Sequence, residues 1–535
     1  YLPVLSNREL VVNTLPITLH QKGEQNFDLS KLFLNKEGKQ AKGAEEAKVT
    51  IEYTNNPSWL MVKALPAISN PTEEDALSLM AAIYANTVNR HVQKTLNVNA
   101  KDIDDASGLT SASDTLEKKV NKYVALLKKL QNKDGSFSWW KGMSGSRYMT
   151  TAVAEMMVRL NAIVGRQSST ASMLSGAIDY LRQQTAREVK AMKEDEAKAA
   201  QKAARNGKKG EAYQATPSEV ALHYLYIVAM DGTCVKLKAP ALNDMDYLLG
   251  KLKKMTRSLT IYGKAKAAVI LALNYDYKTA ADYLKSMEEY SVYREDMGRY
   301  YDTRKAYYSW RNYKIPTEVA AIEALQALDA QSIAAISSAS SAISKQQIIE
   351  EMQRWLLMSK RTQVWDTPVN TVDAVYAFMK GNESNWSRKA ENAVLKLDGK
   401  LLPMPQDSTT LGYVKTERPG KASKLSIDKK SDYTSWGAVY AEFKQPVSEI
   451  GSMESGIKVR RVIVPAESEG KGKAQAKVGE KVKVTLLITA DRDYDFVQIT
   501  DKRAACLEPV NQKSGYQWGI GCYVSPRDHA TNFYF

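Results

Sequence analysis

The chain has 535 residues, of which 44% are hydrophobic and 25% charged, with a formal net charge of +15. That length exceeds one hydrophobic core and predicts about three or four domains, while the composition excludes a disordered or collagen-like chain. No run of roughly eighteen apolar residues marks a membrane span. Lys and Arg are spread along the sequence without an arginine-rich block, so no nucleic-acid partner is expected; weak contact with anionic envelope polymers fits the charge.

Residues 1–68 carry strand patterns in ELVVNTLPITL (Glu9 to Leu19) and AKVTIEY (Ala47 to Tyr53). From 69 to 400 the pattern is helical and repetitive. Trp139 and Trp140 precede Thr150 and TAVAEMMVRL; Thr216 and Pro217 open a second helix; Trp310 and Thr317 introduce IPTEVAAIEALQAL; Trp365 and Thr371 accompany DTPVNTVDAVYAFM. Each unit is an aromatic, turn-rich lead-in followed by an Ala-rich helix, with the Thr expected near the N-cap. The mixed-charge run Arg187 to Glu211 predicts a solvated helical hairpin tip broken at Gly207 and Gly210. Residues 401–452 return to Pro, Gly and strands, with SWGAVYAEFKQPV (Ser435 to Val447) as a strand. Residues 453–535 are strand and turn, where Val482, Val484, Leu486 and Ile488 alternate as in a two-sheet sandwich. A helical block between β flanks predicts an insertion, the flanks pairing as one β domain. Beginning at Tyr1 and ending on NFYF, in what reads as mid-strand, the chain is expected to be a fragment of a longer protein.

This order resembles the C-terminal portion of the bacterial alpha-2-macroglobulin family. The resemblance rests on NPSWLMVKALP (Asn56 to Pro66), SNPTEEDALSLMAAIYANTV (Ser69 to Val88), DGSFSWWKGMSGSRYMT (Asp134 to Thr150), QVWDTPVNTVDAVYAF (Gln363 to Phe378), SWGAVYAEF (Ser435 to Phe443) and ADRDYDFVQITDKRAACLEP (Ala490 to Pro509). It is most similar to the large envelope-associated members of Bacteroides-type bacteria. The resemblance implies a multidomain α and β protein. An α/α toroid of the thioester type (69–400) would be inserted in a CUB-like β domain (1–68 and 401–452), with a truncated macroglobulin-like sandwich (453–535) after it. It also implies a non-enzymatic endopeptidase inhibitor that closes around target proteases in its full-length form. Further implications are a periplasmic, cell-envelope or extracellular location, lipid anchoring through a missing N-terminus, and no cofactor or metal. The oligomeric state stays open.

Family members with the reactive site carry Cys-x-Glu-Gln at the toroid start, whose thiolate and carboxamide condense to a thioester. Counting forward from Pro71 puts Glu74 and Leu77 at the Cys and Gln places; counting back from Tyr84-Ala85-Asn86 puts Asp75 and Ser78 there. Neither register supplies the sulfur or the amide, so noncovalent trapping is expected. Cys506-Leu507-Glu508-Pro509 comes close to the motif but has Pro where the amide belongs. Cys506 and Cys522 share one strand-rich segment, and their spacing leaves both the bridged and the free state open.

Two other readings use the toroid differently. Phe137, Trp139, Trp140, Tyr148, Trp310 and Trp365 would line an aromatic groove in an adhesion or ligand-binding module of the envelope. Asp102-Ile103-Asp104-Asp105 matches the acid motif of class II terpene cyclases, although the neighbouring Gly108, Ser111 and Ser113 suit an exposed loop better. His20, His91, His223 and His529 are too scattered in sequence for a zinc motif. Glu73, Glu74 and Asp75 are expected as first-turn acids, with Thr72 as the cap.

Overall fold

The structure, a computed structural model, describes residues 7–54, 59–96, 113–205, 213–255, 259–294, 297–302, 313–328, 344–359, 365, 367–380, 393–402, 413–430, 434–452, 456–466, 477–491, 494 and 497–535. The chain divides into two compact units: Glu9–Phe33 with Lys42–Lys444, and Tyr1–Arg8 with Leu34–Ala41 and Gln445–Phe535.

The larger unit begins with β1 (Arg8–Leu19), β2 (Gly23–Asp28) and β3 (Lys48–Thr54), and the short helices α1 (Trp59–Val62) and α2 (Leu65–Ser69). Helices follow in pairs: α3 (Ala76–Leu96) and α4 (Ser113–Lys128), α5 (Arg147–Val164) and α6 (Ser168–Arg205), α7 (Glu219–Asp231) and α8 (Ala241–Leu252), α9 (Ile261–Leu273) and α10 (Tyr277–Lys285). A small hairpin of β4 (Ser291–Arg294) and β5 (Gly298–Tyr301) precedes α11 (Lys314–Ala327), α12 (Lys345–Met358) and α13 (Pro368–Met379).

Among the described residues α3, α5, α7, α9, α11 and α13 pack each on the next, and α13 returns to α3, closing a ring. The sequence explains which helices lie inside. α9 buries residues on all its sides, from Ile261 to Ala272, and α11 does so from Ile315 to Leu325; a helix apolar all round belongs in a core. The outer α4, α8 and α10 each bury one stripe, such as Leu116, Tyr123 and Leu127 of α4. Ala residues at 267, 268, 320, 321 and 324 are buried and let the inner helices approach closely.

After the ring come β6 (Val394–Leu397), β7 (Lys400–Leu401), β8 (Tyr413–Pro419), β9 (Lys424–Lys429) and β10 (Ser435–Pro446). They form two four-stranded sheets, ordered β1-β10-β3-β8 and β2-β9-β6-β7. Ile51 of β3 sits opposite Val439 on one side and Thr416 on the other, so strands from both ends of the helical block share a sheet. Burial alternates along β9, where Leu425, Ile427 and Lys429 point inward. The element limits differ from the sequence reading at both edges. Helices α1 and α2 lie in the stretch read as strands, α2 ending at Ser69, and β6 lies before residue 400; short apolar runs such as Trp59–Val62 do not reveal helix or strand by periodicity.

The smaller unit holds β11 (Ile457–Pro465) paired with β12 (Val482–Ala490), and a four-stranded sheet ordered β13-β16-β15-β14 from β13 (Gln498–Lys502), β14 (Gly515–Gln517), β15 (Cys522–Pro526) and β16 (Ala530–Tyr534). Cys506 is exposed and Cys522 buried, and both are free thiols, so the bridge considered for them is not formed.

The charged run near Arg187 is solvated at its described end, residues 200–205 being exposed, but is anchored before that. Val189 and Met192 are buried, and Glu196 accepts hydrogen bonds from the Tyr247 hydroxyl (2.9 Å), the Ala215 amide (2.8 Å) and Lys251. A 38-residue α6 carries one apolar face along this stretch, which the density of charge obscured. Gly207 and Gly210 lie outside the described residues.

Candidate functional site

The N-terminal ends of the inner helices meet around one cavity of about 600 Å³. Side-chain caps set five of the six ends, the start of α11 at Tyr313 having none. The Asp75 carboxylate accepts from the Leu77 and Ser78 amides (2.9 and 3.1 Å), Ser146 from Met149, Ser218 from Ala221, Thr260 from Gly263 and Thr367 from Asn370. Asp75 is therefore the cap of α3, rather than Thr72. The repeat threonines sit one turn further in. Thr150 and Thr371 donate back to the Ser146 and Thr367 carbonyls (2.7 and 3.0 Å), so they are buried helix residues and not caps. Thr317 likewise follows Tyr313 by one turn.

The aromatic turn is tied to two helices. The Phe137 amide donates to the Thr150 hydroxyl (2.8 Å), and the Trp139 carbonyl accepts from Ala76 (3.3 Å). Gly135 has φ +89°, and a β-carbon there would lie 2.1 Å from the Gly176 carbonyl oxygen, so only glycine fits this turn against α6.

The positions aligned with the reactive site reach the cavity in part. Asp75, Leu77 and Ser78 line it with Glu73, whereas the exposed Glu74 does not. Of the expected aromatic groove, Trp139, Trp140 and Tyr148 line the cavity; Trp139 stacks on Tyr148 at 6.3 Å and 19°, and meets Trp140 at 6.0 Å. Phe137 is fully buried, and Trp365 is buried with its indole N–H on the Leu356 carbonyl (2.9 Å), so both are packing residues. Trp310 and the Asp102–Asp105 motif lie outside the described residues. Tyr262 and Tyr313, stacked at 4.8 Å and 11°, were not singled out by sequence, and form another wall.

Beneath the cavity lies a buried charge network. The Arg159 guanidinium bonds Asp373, lies 3.0 Å from Glu155 and 3.7 Å from Glu323, and sits between the Tyr226 and Tyr376 rings at 5.3 and 5.1 Å. Lys266 pairs with Glu155 at 2.5 Å and lies 3.7 Å over Tyr226. Glu323 also accepts from the Tyr226 and Tyr376 hydroxyls, at 2.7 Å each, and pairs with Lys380 at 3.6 Å. Glu155, Glu323 and Asp373 thus balance Arg159, Lys266 and Lys380 in formal charge. Burial alone would raise the Glu155 pKa, yet Lys266, His223 and Arg159 hold it well below the usual carboxylate value. Burial raises Asp373 against the pull of Arg159, and lowers Lys266 by more than Glu155 lifts it.

His223 links this floor to the cavity: its Nδ1 meets Glu155, and its Nε2 lies 2.8 Å from the Tyr262 hydroxyl. A carboxylate–histidine–hydroxyl chain raises the question of a nucleophile. Burial, reinforced by Glu155, pushes Tyr262 well above the ordinary phenol value, so this hydroxyl keeps its proton near neutrality. Among the described residues no group of three or more His, Cys, Asp or Glu is placed to hold a metal ion. The sequence did hold a trace of the network, because Glu155, Arg159, Lys266, Glu323 and Asp373 are isolated charges within apolar helical runs.

Residues 456–535 match the profile of the bacterial alpha-2-macroglobulin MG10 domain. No curated protein sequence matches the chain at a significant level. Among solved structures the chain is similar to native alpha-2-macroglobulin from Escherichia coli spanning domain MG7 to the C-terminus (12% identity, 98% of this chain and 74% of that one, TM-score 0.40). It is also similar to Salmonella alpha-2-macroglobulin reacted with methylamine (12%, 98% and 30%, 0.40) and to trypsin-activated alpha-2-macroglobulin from Escherichia coli (12%, 98% and 32%, 0.41). The chain spans about 30% of the Salmonella protein. On the profile match, the resemblance is to the C-terminal portion of the bacterial alpha-2-macroglobulin family.

Proposed function

We propose that the chain is part of an alpha-2-macroglobulin-like endopeptidase inhibitor that is non-enzymatic, works by conformational enclosure and makes no covalent thioester. The observation that carries this reading is local. Where the resemblance places the reactive pair, the rim offers a capping carboxylate at Asp75, apolar Leu77 and the hydroxyl of Ser78. The cysteines of the sequence are Cys234, Cys506 and Cys522, all far from this helix start in sequence. Without a sulfur and a carboxamide no internal acyl donor forms. The partner would be a target protease held by the full-length protein, in the periplasm or elsewhere in the envelope. No described helix is long and apolar enough to cross a membrane.

The test uses the full-length protein cleaved by a protease. A noncovalent trap leaves the bound protease active on small peptides and inactive on large proteins, with no denaturant-resistant conjugate and no mass added by methylamine. Amine incorporation into this chain, or unimpaired cleavage of large substrates, defeats the reading. The second reading, a ligand-binding toroid, is favoured by one feature: the cavity keeps Trp140 and Tyr148 at its rim, 47% and 54% exposed.

A further inference from the structure

We propose that the cavity at the N-terminal rim of the helix ring binds a basic side chain, lysine or arginine, presented by a protein partner. The proposal deepens the ligand-binding reading and is independent of protease trapping.

Charge is the first argument. In a chain of formal net charge +15, the described lining of this cavity carries Glu73, Asp75, Glu155, Glu219 and Asp373, against one arginine, one histidine and no lysine. Arg159 is engaged by Asp373, Glu155 and Glu323, and the floor as a whole is balanced. The mouth is not. Asp75 caps α3, Glu219 accepts from the Tyr313 hydroxyl (3.1 Å), and Glu73 is exposed. Converging helix N-termini would by themselves favour an anion, each acting as roughly half a positive charge within the first turn. Here five of the six starts already carry a side-chain cap, α11 being the exception, and acids sit at the starts of α3 and α7. Among the described residues of the wall, an incoming anion finds one arginine, Arg159, already engaged by carboxylates. A cation finds three carboxylates.

Shape and chemistry supply the second argument. The walls are the stacked Trp139–Tyr148 pair, Trp140, and the stacked Tyr262–Tyr313 pair. Aromatic faces accept an aliphatic stem by apolar contact and its charged end through the ring quadrupole. Large rings half exposed at a rim lose hydrophobic stabilisation unless something covers them. An open mouth suits a side chain anchored on another protein, which must enter end-first with its backbone outside.

Calorimetry and tryptophan fluorescence on this chain test the assignment without any protease. The probes are a short neutral peptide with one lysine, the same peptide with arginine, with Nε-acetyl-lysine and with glutamate, plus free 1,5-diaminopentane and a neutral disaccharide. The lysine and arginine peptides are expected to bind, and acetylation to weaken binding at least about tenfold. Glu73→Gln and Glu219→Gln each weaken it several-fold, as does Trp140→Ala, an exposed position whose loss leaves the melting temperature unchanged. Glu74→Gln, an exposed carboxylate outside the lining, leaves affinity as it was. Equal binding of the acetylated peptide, preference for glutamate or the sugar, no binding of any basic peptide, or an equal loss with Glu74→Gln overturns the proposal. Tighter binding of the diamine than of the peptides overturns the protein-borne source.

Discussion

The helix ring and the C-terminal β unit illustrate two ways for one chain to order itself. In the ring, α9 and α11 bury nearly every side chain they carry, charges included. In Gln445–Phe535 the buried hydrophobic residues among those described are Cys522 and Ala530. Its strands nonetheless form full ladders, as β11 and β12 do from Ile457↔Ala490 to Pro465↔Val482. Backbone pairing and core formation are therefore separable. Alternation specifies a strand, and only a second layer turns one of its faces into a core.

The largest test of this contrast is Arg159→Met. The substitution removes the cation between Glu155, Glu323 and Asp373 while keeping an apolar side chain. Orphaning buried carboxylates costs about 3–5 kcal/mol, to be read as a drop in the urea midpoint. Loss of less than about 1 kcal/mol would mean that water reaches this floor and that the ring is not the dry core described.

The same contrast explains what could be read in advance. The ring was legible because its aromatic lead-ins and Ala-rich helices recur, and recurrence is a one-dimensional signal. The cavity was half legible: Trp139, Trp140 and Tyr148 lie in one short stretch with the turn that holds them. Trp365 carries the same letter in a similar context, yet its indole is spent on Leu356. Tyr262 and His223 come from α9 and α7 and Tyr313 from the residue before α11, and nothing local marks their convergence. The β12 pattern Val482, Val484, Leu486, Ile488 predicted a sandwich strand, and the strand is there. Ile488 and Val484 are 41% and 37% exposed, so the pattern reports the strand and not its burial.

A smaller effect is expected where the aromatic turn joins the ring. The Thr150 hydroxyl accepts the Phe137 amide and donates to the Ser146 carbonyl. Thr150→Val keeps the volume and leaves a buried N–H without its acceptor, costing about 1–3 kcal/mol. Hydrogen exchange at Phe137 should accelerate with the loss. Unchanged exchange would show the turn to be held by backbone contacts alone.

Glu318 gives the contrast a pH axis. It is buried on α11 and accepts the Tyr301 amide, and burial holds its pKa well above the ordinary 4.5 despite that bond. The native state therefore keeps its proton at pH values where the unfolded chain has released it. Stability contributed by this group is complete below pH 4.5 and is lost as pH rises toward the folded value. Glu318→Gln retains an acceptor and cannot ionise, so its melting temperature relative to the parent should climb with pH above that point. A constant offset would remove Glu318 from the pH response.

The smallest effect belongs to the C-terminal unit. Arg461 of β11 reaches Asp501 of β13 at 2.5 Å, tying its two sheets, with side chains 35% and 14% exposed. A pair this accessible is screened and hydrated, so Arg461→Ala should cost about 0–1 kcal/mol and less in high salt. The comparison turns on this number. A loss approaching that of Arg159→Met would mean that a surface ion pair substitutes for the missing apolar layer, and that burial is the wrong measure of how this unit is held. A negligible loss leaves the ladders of β11–β12 and β13–β16 as what orders the unit.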